Sequence, residues 1–423
     1  IQSSIWKDKC MTALRGLSYS NLAGNISPEK ARKLYGSPMY SSVSRLESYA
    51  SCAFSYYLQY GLKVRERDIF RLSAPDVGTF IHTVIDRFSH ELTENGMSWR
   101  TMDKQWCTQQ VGILVDEILG NMEGSIFDSS PRYRYFIERL KRVITKAVWV
   151  IAEQIRRSSF EPIGYEISFG DNKEIPPICL KLPNGEEIRL VGRIDRIDAM
   201  KSDEGTYLRI IDYKSGSKAF KISDVYYGLQ MQLITYLDAI WENGIEGVEN
   251  PILPGGILYL KIDDPIIRVN GNISEEEIEN EIMKQLRMKG LLLADVKLIK
   301  GMDSQIDGDS LIIPARINKD GSLGRSSSAA TMKQFEALTR HVKEILKKLG
   351  QDMLSGKVDI SPYKNKNNTS CTYCRYSSVC QFDPSLKENK YRYLRDLKDD
   401  EAWQQIEQSM GSVADGGNGN SRN

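Results

Sequence analysis

Two short apolar, β-rich runs, Ile188 to Ile197 and Tyr207 to Tyr213, flank the turn Asp203-Glu204-Gly205, and charged residues fall where such strands are normally buried. The first run carries Val191-Gly192-Arg193-Ile194-Asp195-Arg196-Ile197-Asp198 and the second ends Arg209-Ile210-Ile211-Asp212-Tyr213-Lys214-Ser215-Gly216. This hairpin constrains the fold most, because strand alternation assigns each charge a face. Residues two apart point the same way, so Asp212 and Lys214 share a face while Tyr213 enters the other layer. Asp195, on the preceding strand, reaches the same cleft. Ile210-Ile211 makes the second strand apolar, so ionised groups directly after it indicate a cleft rather than open surface. Two carboxylates and a lysine on adjacent strands form a hard-cation site beside an amine. Phosphodiester hydrolysis uses those parts: a divalent metal to polarise phosphate and generate hydroxide, and a cation to position the nucleophile. A single Asp-x-Lys recurs by chance as an exposed pair, so the weight rests on the strand-end context.

The rest of the chain supplies helices. Asp76 to Asn95 repeats Val77, Phe80, Ile81, Val84, Ile85, Phe88 and Leu92 at the three-four spacing of a buried face, and Arg134 to Arg157 does the same with Phe136, Leu140, Ile144, Val148 and Ile151. Ser27-Pro28-Glu29 reads as a helix start, and a further helix begins near Ser44. Gly164 to Phe169 and Gly256 to Ile262 read as strands. Val225 to Trp241, Ser274 to Met288 and Met332 to Gly350 read as helices, with a Gly/Ser-rich loop at Asp320 to Ser328. The Gly-, Asn- and Ser-rich end from Met410 to Asn423 reads as disordered. The order is helices, a meander of strands, a helix, a strand and helices again: an α/β arrangement with a small mixed sheet flanked by helices.

Two polar features lie on otherwise buried faces. Gln232 and Tyr236, one turn apart along the stripe of Leu229, Leu233 and Ile240, need partners that the carboxylate cleft supplies. His82 follows Gly78 by one turn. Taken alone, such a histidine is more often structural than a ligand.

Composition narrows the function classes. No apolar run is long enough to span a membrane, the best, Val143 to Ala152, being broken by Lys146. With 57 Lys and Arg against 56 Asp and Glu, bulk charge cannot drive nucleic-acid binding, although a local basic groove can. No GxGxxG or GxxxxGK[ST] is present to cradle nucleotide phosphates. The seven cysteines are an odd number, and Ile1 to Lys9 has neither the basic start nor the apolar centre of a signal peptide. Both features point to a reducing, cytoplasmic setting, and the start at Ile1 reads as a fragment of something longer.

Cys371, Cys374 and Cys380 form a C-x2-C-x5-C run that needs a fourth ligand, for which Cys52 is the best candidate. Cys10, Cys107 and Cys179 read as buried small apolar residues. On spacing alone zinc and an iron–sulfur cluster both stay open, the uneven spacing leaning towards the cluster.

Gly78-x-x-x-His82, Gly192-Arg193-Ile194-Asp195, Asp212-Tyr213-Lys214 and Gln232-x-x-x-Tyr236, in that order, resemble the nuclease motifs of the RecB-type PD-(D/E)XK superfamily. The closer resemblance is to the nuclease domain of the AddB component of AddAB-type ATP-dependent helicase/deoxyribonucleases. It runs from Tyr40 to Leu394 and includes Ser44-Arg45-Leu46-Glu47-Ser48-Tyr49 and Ile312-Ile313-Pro314-Ala315-Arg316. It implies a restriction-endonuclease-like α/β core and a metal-dependent DNase, with His82, Asp195, Asp212 and the Tyr213 carbonyl holding Mg²⁺. Lys214 would orient the attacking water, Gln232 and Tyr236 would support the site and contact DNA, and Glu166 attaches to it more loosely. The resemblance also implies a [4Fe–4S] cluster on Cys52, Cys371, Cys374 and Cys380. Ala53 stands where proline commonly follows the early cysteine, which leaves the thiolate intact.

The domain reading follows: residues 1–39 a helical remnant of a preceding helicase-like region, 40–395 the nuclease domain with its cluster, 396–423 a partly disordered tail. The implied partners are DNA, threaded as a single strand from a duplex end and degraded 5′→3′, and an AddA-type helicase–nuclease subunit completing a heterodimer for double-strand-break repair by recombination. Aromatic residues interleave with the basic groups at Arg132 to Tyr135 and Lys390 to Tyr393, as single-strand binding requires, though a solvated face explains most of the cations. A non-catalytic DNA-binding scaffold and a zinc-stapled interaction module are the alternatives. The first is disfavoured because Asp195, Asp212 and Lys214 are all retained, and the second leaves the carboxylate cleft unexplained.

Overall fold

The computed structural model describes residues 4–17, 19–65, 74–120, 131–216, 219–268, 271, 273–366 and 368–415. Its centre is a six-stranded mixed sheet of β1 (Glu161–Phe169), β2 (Gly192–Ser202), β3 (Gly205–Lys214), β4 (Ile252–Lys261), β5 (Lys289–Leu293) and β6 (Ala329–Ala330), side by side in chain order. β1, β2 and β3 form an antiparallel meander, whereas β3 and β4 run parallel. A parallel neighbour needs a crossover, and the Gln232–Asn243 helix supplies it by packing back onto both strands. No helix of the described residues is long and apolar enough to cross a membrane.

The two sheet faces have different neighbours. Tyr165, Arg196, Asp198, Arg209 and Tyr213 project one way, towards Trp99, whose indole N–H donates to the Tyr165 hydroxyl at 2.6 Å. Trp99 packs against Phe88 of the Ala74–Glu94 helix, which itself packs with the Lys104–Gly120 and Pro131–Arg156 helices. Asp195, Asp212 and Lys214 project the other way, towards the Gln232–Asn243 helix. Of the expected core positions, Phe80, Ile81, Val84, Ile85, Phe88, Leu92, Leu140, Ile144, Val148 and Ile151 are buried, whereas Val77 and Phe136 are half-buried at the edge of the core.

Four expectations change. The run from Ile188 does not stay in one sheet. Glu187–Leu190 pairs with Met39–Ser41 and Ile178–Lys181, and only from Gly192 does the chain enter the central sheet. Gly192 makes the corner possible, since a Cβ there would lie 2.7 Å from the Phe169 ring. The helix expected over Val225 to Trp241 is two helices, Ile222–Tyr226 and Gln232–Asn243, divided at Gly228, whose φ of +75° ends the first. Cys107 is buried as expected, but Cys10 and Cys179 are exposed. Strand alternation turns Cys179 outward between the buried Ile178 and Leu180. Finally, the helix Asp399–Asp415 covers the first part of the expected disordered end. Its Ala402 and Ile406 are fully buried, and once a helix is anchored each added residue costs little. Residues 416–423 lie outside the described residues.

Candidate active site

The β2–β3 ladder ends with Arg196 opposite Ile211, so Asp195 and Asp212 fall one step beyond it, next to each other. Both are buried, at 8% and 1% exposure. Burying a carboxylate disfavours its charge, and a second carboxylate beside it disfavours it further. Asp212 is accordingly pushed up to about 7 by burial and by Asp195, with Lys214 opposing. Lys214 Nζ lies 2.5 Å from Asp212 Oδ2. The pair therefore share a face as the two-residue spacing predicts.

His82 reaches the same point from the middle of the Ala74–Glu94 helix. Its Nε2 lies 3.1 Å from the Tyr213 carbonyl oxygen, and its Nδ1 lies 3.5 Å from both Glu166 Oε1 and Asp195 Oδ2. Burial opposes charge on the ring, but Asp195 and Glu166 outweigh it and lift His82 to about 10. Asp195 Oδ2 also accepts the Tyr213 N–H at 2.7 Å, which fixes the carboxylate to the backbone of the neighbouring strand. Tyr213 itself turns away, its ring buried in the other layer. His82, Glu166 and Asp195 each offer a donor atom within 4.8 Å of the others.

Gln232 and Tyr236 complete one wall. The Lys214 ammonium donates to Gln232 Oε1 at 3.3 Å, and Gln232 Nε2 donates to the Tyr236 hydroxyl at 2.8 Å. The structure thus brings together all the site residues expected around the carboxylates. It draws in Glu166, which the resemblance attached loosely, and adds one acidic residue, Glu47. Glu47, on the Val43–Ser51 helix, accepts the backbone N–H groups of Met231 at 2.6 Å and Gln232 at 3.0 Å, holding the first turn of the Gln232–Asn243 helix. Glu166 makes an ion pair with Arg193 besides facing His82. Glu47 lies inside the Ser44–Tyr49 motif, but its reach to a helix end remote in sequence has no local signal.

Four of the cysteines meet at a second place in the fold. Cys52, Cys371, Cys374 and Cys380 line one cavity with Phe54, Ser55, Pro362, Ser370 and Tyr376. Cys380 is pushed up to about 11 by burial and by the other three thiols. Cys10, Cys107 and Cys179 lie elsewhere.

The basic groups are more engaged than sequence suggests. Lys141 pairs with Asp116, and Arg142 and Lys146 both pair with Asp264. Arg392, though exposed, donates to the Ala50 carbonyl, while Lys364 lies over the Tyr391 ring at 4.9 Å.

Comparison with known proteins agrees with this geometry. The family model of the PD-(D/E)XK nuclease superfamily matches residues 40–381. The B subunits of the ATP-dependent helicase/deoxyribonucleases of Acetivibrio thermocellus and Ruminiclostridium cellulolyticum are each 58% identical over 94% of this chain, and that of Clostridium novyi is 52% identical over 94%. The chain spans about a third of the length of these curated relatives, 35% in each case. The match takes in both strands of the carboxylate hairpin, the His82 helix and the cysteine cavity, and the chain belongs to the PD-(D/E)XK nuclease superfamily.

Proposed function

We propose that this chain is the nuclease part of an AddB-type helicase–nuclease subunit, hydrolysing DNA phosphodiester bonds with a divalent cation. The observation carrying this reading is the convergence of Asp195, Asp212, Lys214, His82 and the Tyr213 carbonyl at one end of the β2–β3 hairpin. Three oxygen donors and one imidazole suit a hard cation such as Mg²⁺, and the mutual repulsion of two buried carboxylates is relieved by a dication. When bound, the ion supplies Lewis acidity to the phosphate and lowers the pKa of water. The chain's own residues do the rest. Asp195 and Asp212 would hold the ion, and the Tyr213 N–H keeps the Asp195 carboxylate in place. The Lys214 ammonium, held between Asp212 and Gln232, orients the attacking water and offsets charge that develops on the phosphate. Gln232 and Tyr236 keep that ammonium from swinging into solvent.

The cysteine cavity fits a [4Fe–4S] cluster. Four thiols gathered around one cavity are a natural seat for a cationic centre. The cluster would join Cys52 to a segment on the order of 300 residues later, a loop whose closure costs on the order of 5 kcal/mol.

From the resemblance of its motifs to the AddB-type nuclease domain, the substrate is a single strand of DNA arising from a duplex end and degraded 5′→3′. On the same basis the partner is an AddA-type helicase–nuclease subunit and the process is double-strand-break repair in the cytoplasm. The test is cleavage of single-stranded DNA by anaerobically purified protein with and without Mg²⁺. Asp212→Ala and Lys214→Ala should each lower the rate by on the order of 10²–10⁴-fold while DNA binding persists. Wild-type rates in both variants would remove the assignment.

A further inference from the structure

His82 presents its two ring nitrogens to different parts of the site. Nε2 lies 3.1 Å from the Tyr213 carbonyl oxygen, close to the separation of two adjacent donors on one octahedral cation with bonds of about 2.1 Å. Nδ1 faces the opposite way, 3.5 Å from Glu166 Oε1 and 3.5 Å from Asp195 Oδ2. The Asp195 oxygen already accepts the Tyr213 N–H.

Glu166 reaches Nδ1 through an unusual backbone. Its φ is +50°, in the left-handed region, although it is neither glycine nor in a turn but within β1. Such a conformation in a non-glycine residue costs on the order of 1–3 kcal/mol and persists only where surrounding structure imposes it. The pairs on either side, Tyr165 with Arg196 and Ile167 with Ile194, stay in register, so the distortion re-aims one side chain without shifting the strands. The carboxylate it delivers is 11% exposed and is pinned by the Arg193 guanidinium on Oε2, leaving Oε1 towards the histidine.

We propose that Glu166 is the positioning residue of His82: it accepts the Nδ1–H and holds the proton on that nitrogen when the Nε2 proton gives way to a cation shared with the Tyr213 carbonyl. A metal-ligating histidine commonly gives its other N–H to a carboxylate, which orients the ring and raises its basicity. Direct ligation by Glu166 is the competing role, since its donor atom lies within 4.8 Å of those of His82 and Asp195. Arg193 takes Oε2 and Oε1 faces His82 Nδ1, so both carboxylate oxygens of Glu166 already have partners within the protein. This inference rests on the metal site proposed above.

The experiment uses the whole chain without DNA. Affinity is read from Mn²⁺ titration followed by electron paramagnetic resonance, and the tautomer from ¹⁵N-histidine NMR in Mg²⁺, which only three imidazoles complicate. Glu166→Gly removes the carboxylate while suiting the left-handed backbone, and Glu166→Gln keeps an acceptor oxygen without the charge. Glu166→Gly should weaken Mn²⁺ binding about 10–100-fold and let His82 populate both tautomers. Glu166→Gln should stay within a few-fold of wild type and keep the Nδ1–H form. Equal, severe loss of Mn²⁺ in both variants with the tautomer unchanged would make Glu166 a direct ligand and overturn the proposal. Wild-type affinity and tautomer in Glu166→Gly would overturn it as well. A wild-type protein that takes up no Mn²⁺, or an Asp212→Ala variant that binds it normally, removes the metal site and this proposal with it.

Discussion

Asp195 and Asp212 have similar burial and one chemistry, yet their anchoring differs. Asp195 takes a backbone N–H from the neighbouring strand, whereas Asp212 is held by Lys214. Asp195→Ala should therefore do two things, removing a cation ligand and freeing the Tyr213 amide, and should abolish cleavage as fully as Asp212→Ala. His82→Ala removes one ligand of several. Its cleavage should return as Mg²⁺ is raised, the half-saturating concentration moving up about 10-fold or more while the plateau rate falls less. A metal titration of the cleavage rate separates the two, and a His82→Ala curve overlying wild type would return that residue to a purely structural role.

At the scale of elements, two contacts hold the site strands and helix. Arg196, Asp198 and Arg209 form a fully buried ion triad across β2 and β3, Asp198 accepting from Arg196 Nε and Nη2 at 2.6 Å each and from Arg209 Nε at 2.7 Å. Burial would push Asp198 up, but the two guanidinium groups outweigh it and hold its carboxyl below the ordinary range. A carboxylate depressed in the folded state stabilises fully above its unfolded pKa of roughly 3.9 and loses that contribution as pH falls through the folded value. Asp198→Ala strands two buried guanidinium groups and should cost about 3–5 kcal/mol in urea unfolding at neutral pH. Its acid limb should be shallower than that of wild type. Glu47 is the second contact. Glu47→Ala leaves two N–H groups of the Gln232–Asn243 helix without their acceptor, which should cost about 0.5–2 kcal/mol. Because Gln232 opens that helix and receives Lys214, the variant should also lower cleavage more than DNA binding.

Across the whole molecule, the amino-terminal and carboxy-terminal segments close on each other around the cysteine cavity. Ile26 N–H donates to Gly356 O at 3.0 Å, Tyr49 Oη to Lys357 O at 3.0 Å, Phe54 N–H to Asp359 O at 3.1 Å and Tyr376 Oη to Val64 O at 3.1 Å. Gly356 is required there, with φ of +85° and no room for a Cβ against the Ile26 carbonyl. The cluster would reinforce a junction that hydrogen bonds already define. Cys52→Ala, Cys371→Ala, Cys374→Ala or Cys380→Ala should each lose iron and visible absorbance and expose this junction to proteolysis. Cys10→Ala, Cys107→Ala and Cys179→Ala should keep full iron content. Elemental analysis of anaerobically purified protein decides the matter, since one zinc and no iron would discard the cluster and leave the nuclease reading standing.

The sequence by itself determined the carboxylate hairpin, because a period of two leaves Asp212 and Lys214 no choice of face once Ile210-Ile211 is buried, and it determined the helix faces that build the core by their three-four spacing. It also marked Cys52 as the distant partner of the C-x2-C-x5-C run, now seen in one cavity. Only the tertiary structure decided the rest. The change of sheet at Gly192 depends on the Phe169 ring, the break at Gly228 on a left-handed turn, and Glu47 on a helix end on the order of 180 residues away. The aim of Glu166 depends on a backbone conformation that no glutamate adopts by preference. Local pattern fixes which face a residue occupies; which partner waits at that face is set by contacts between segments far apart in the chain.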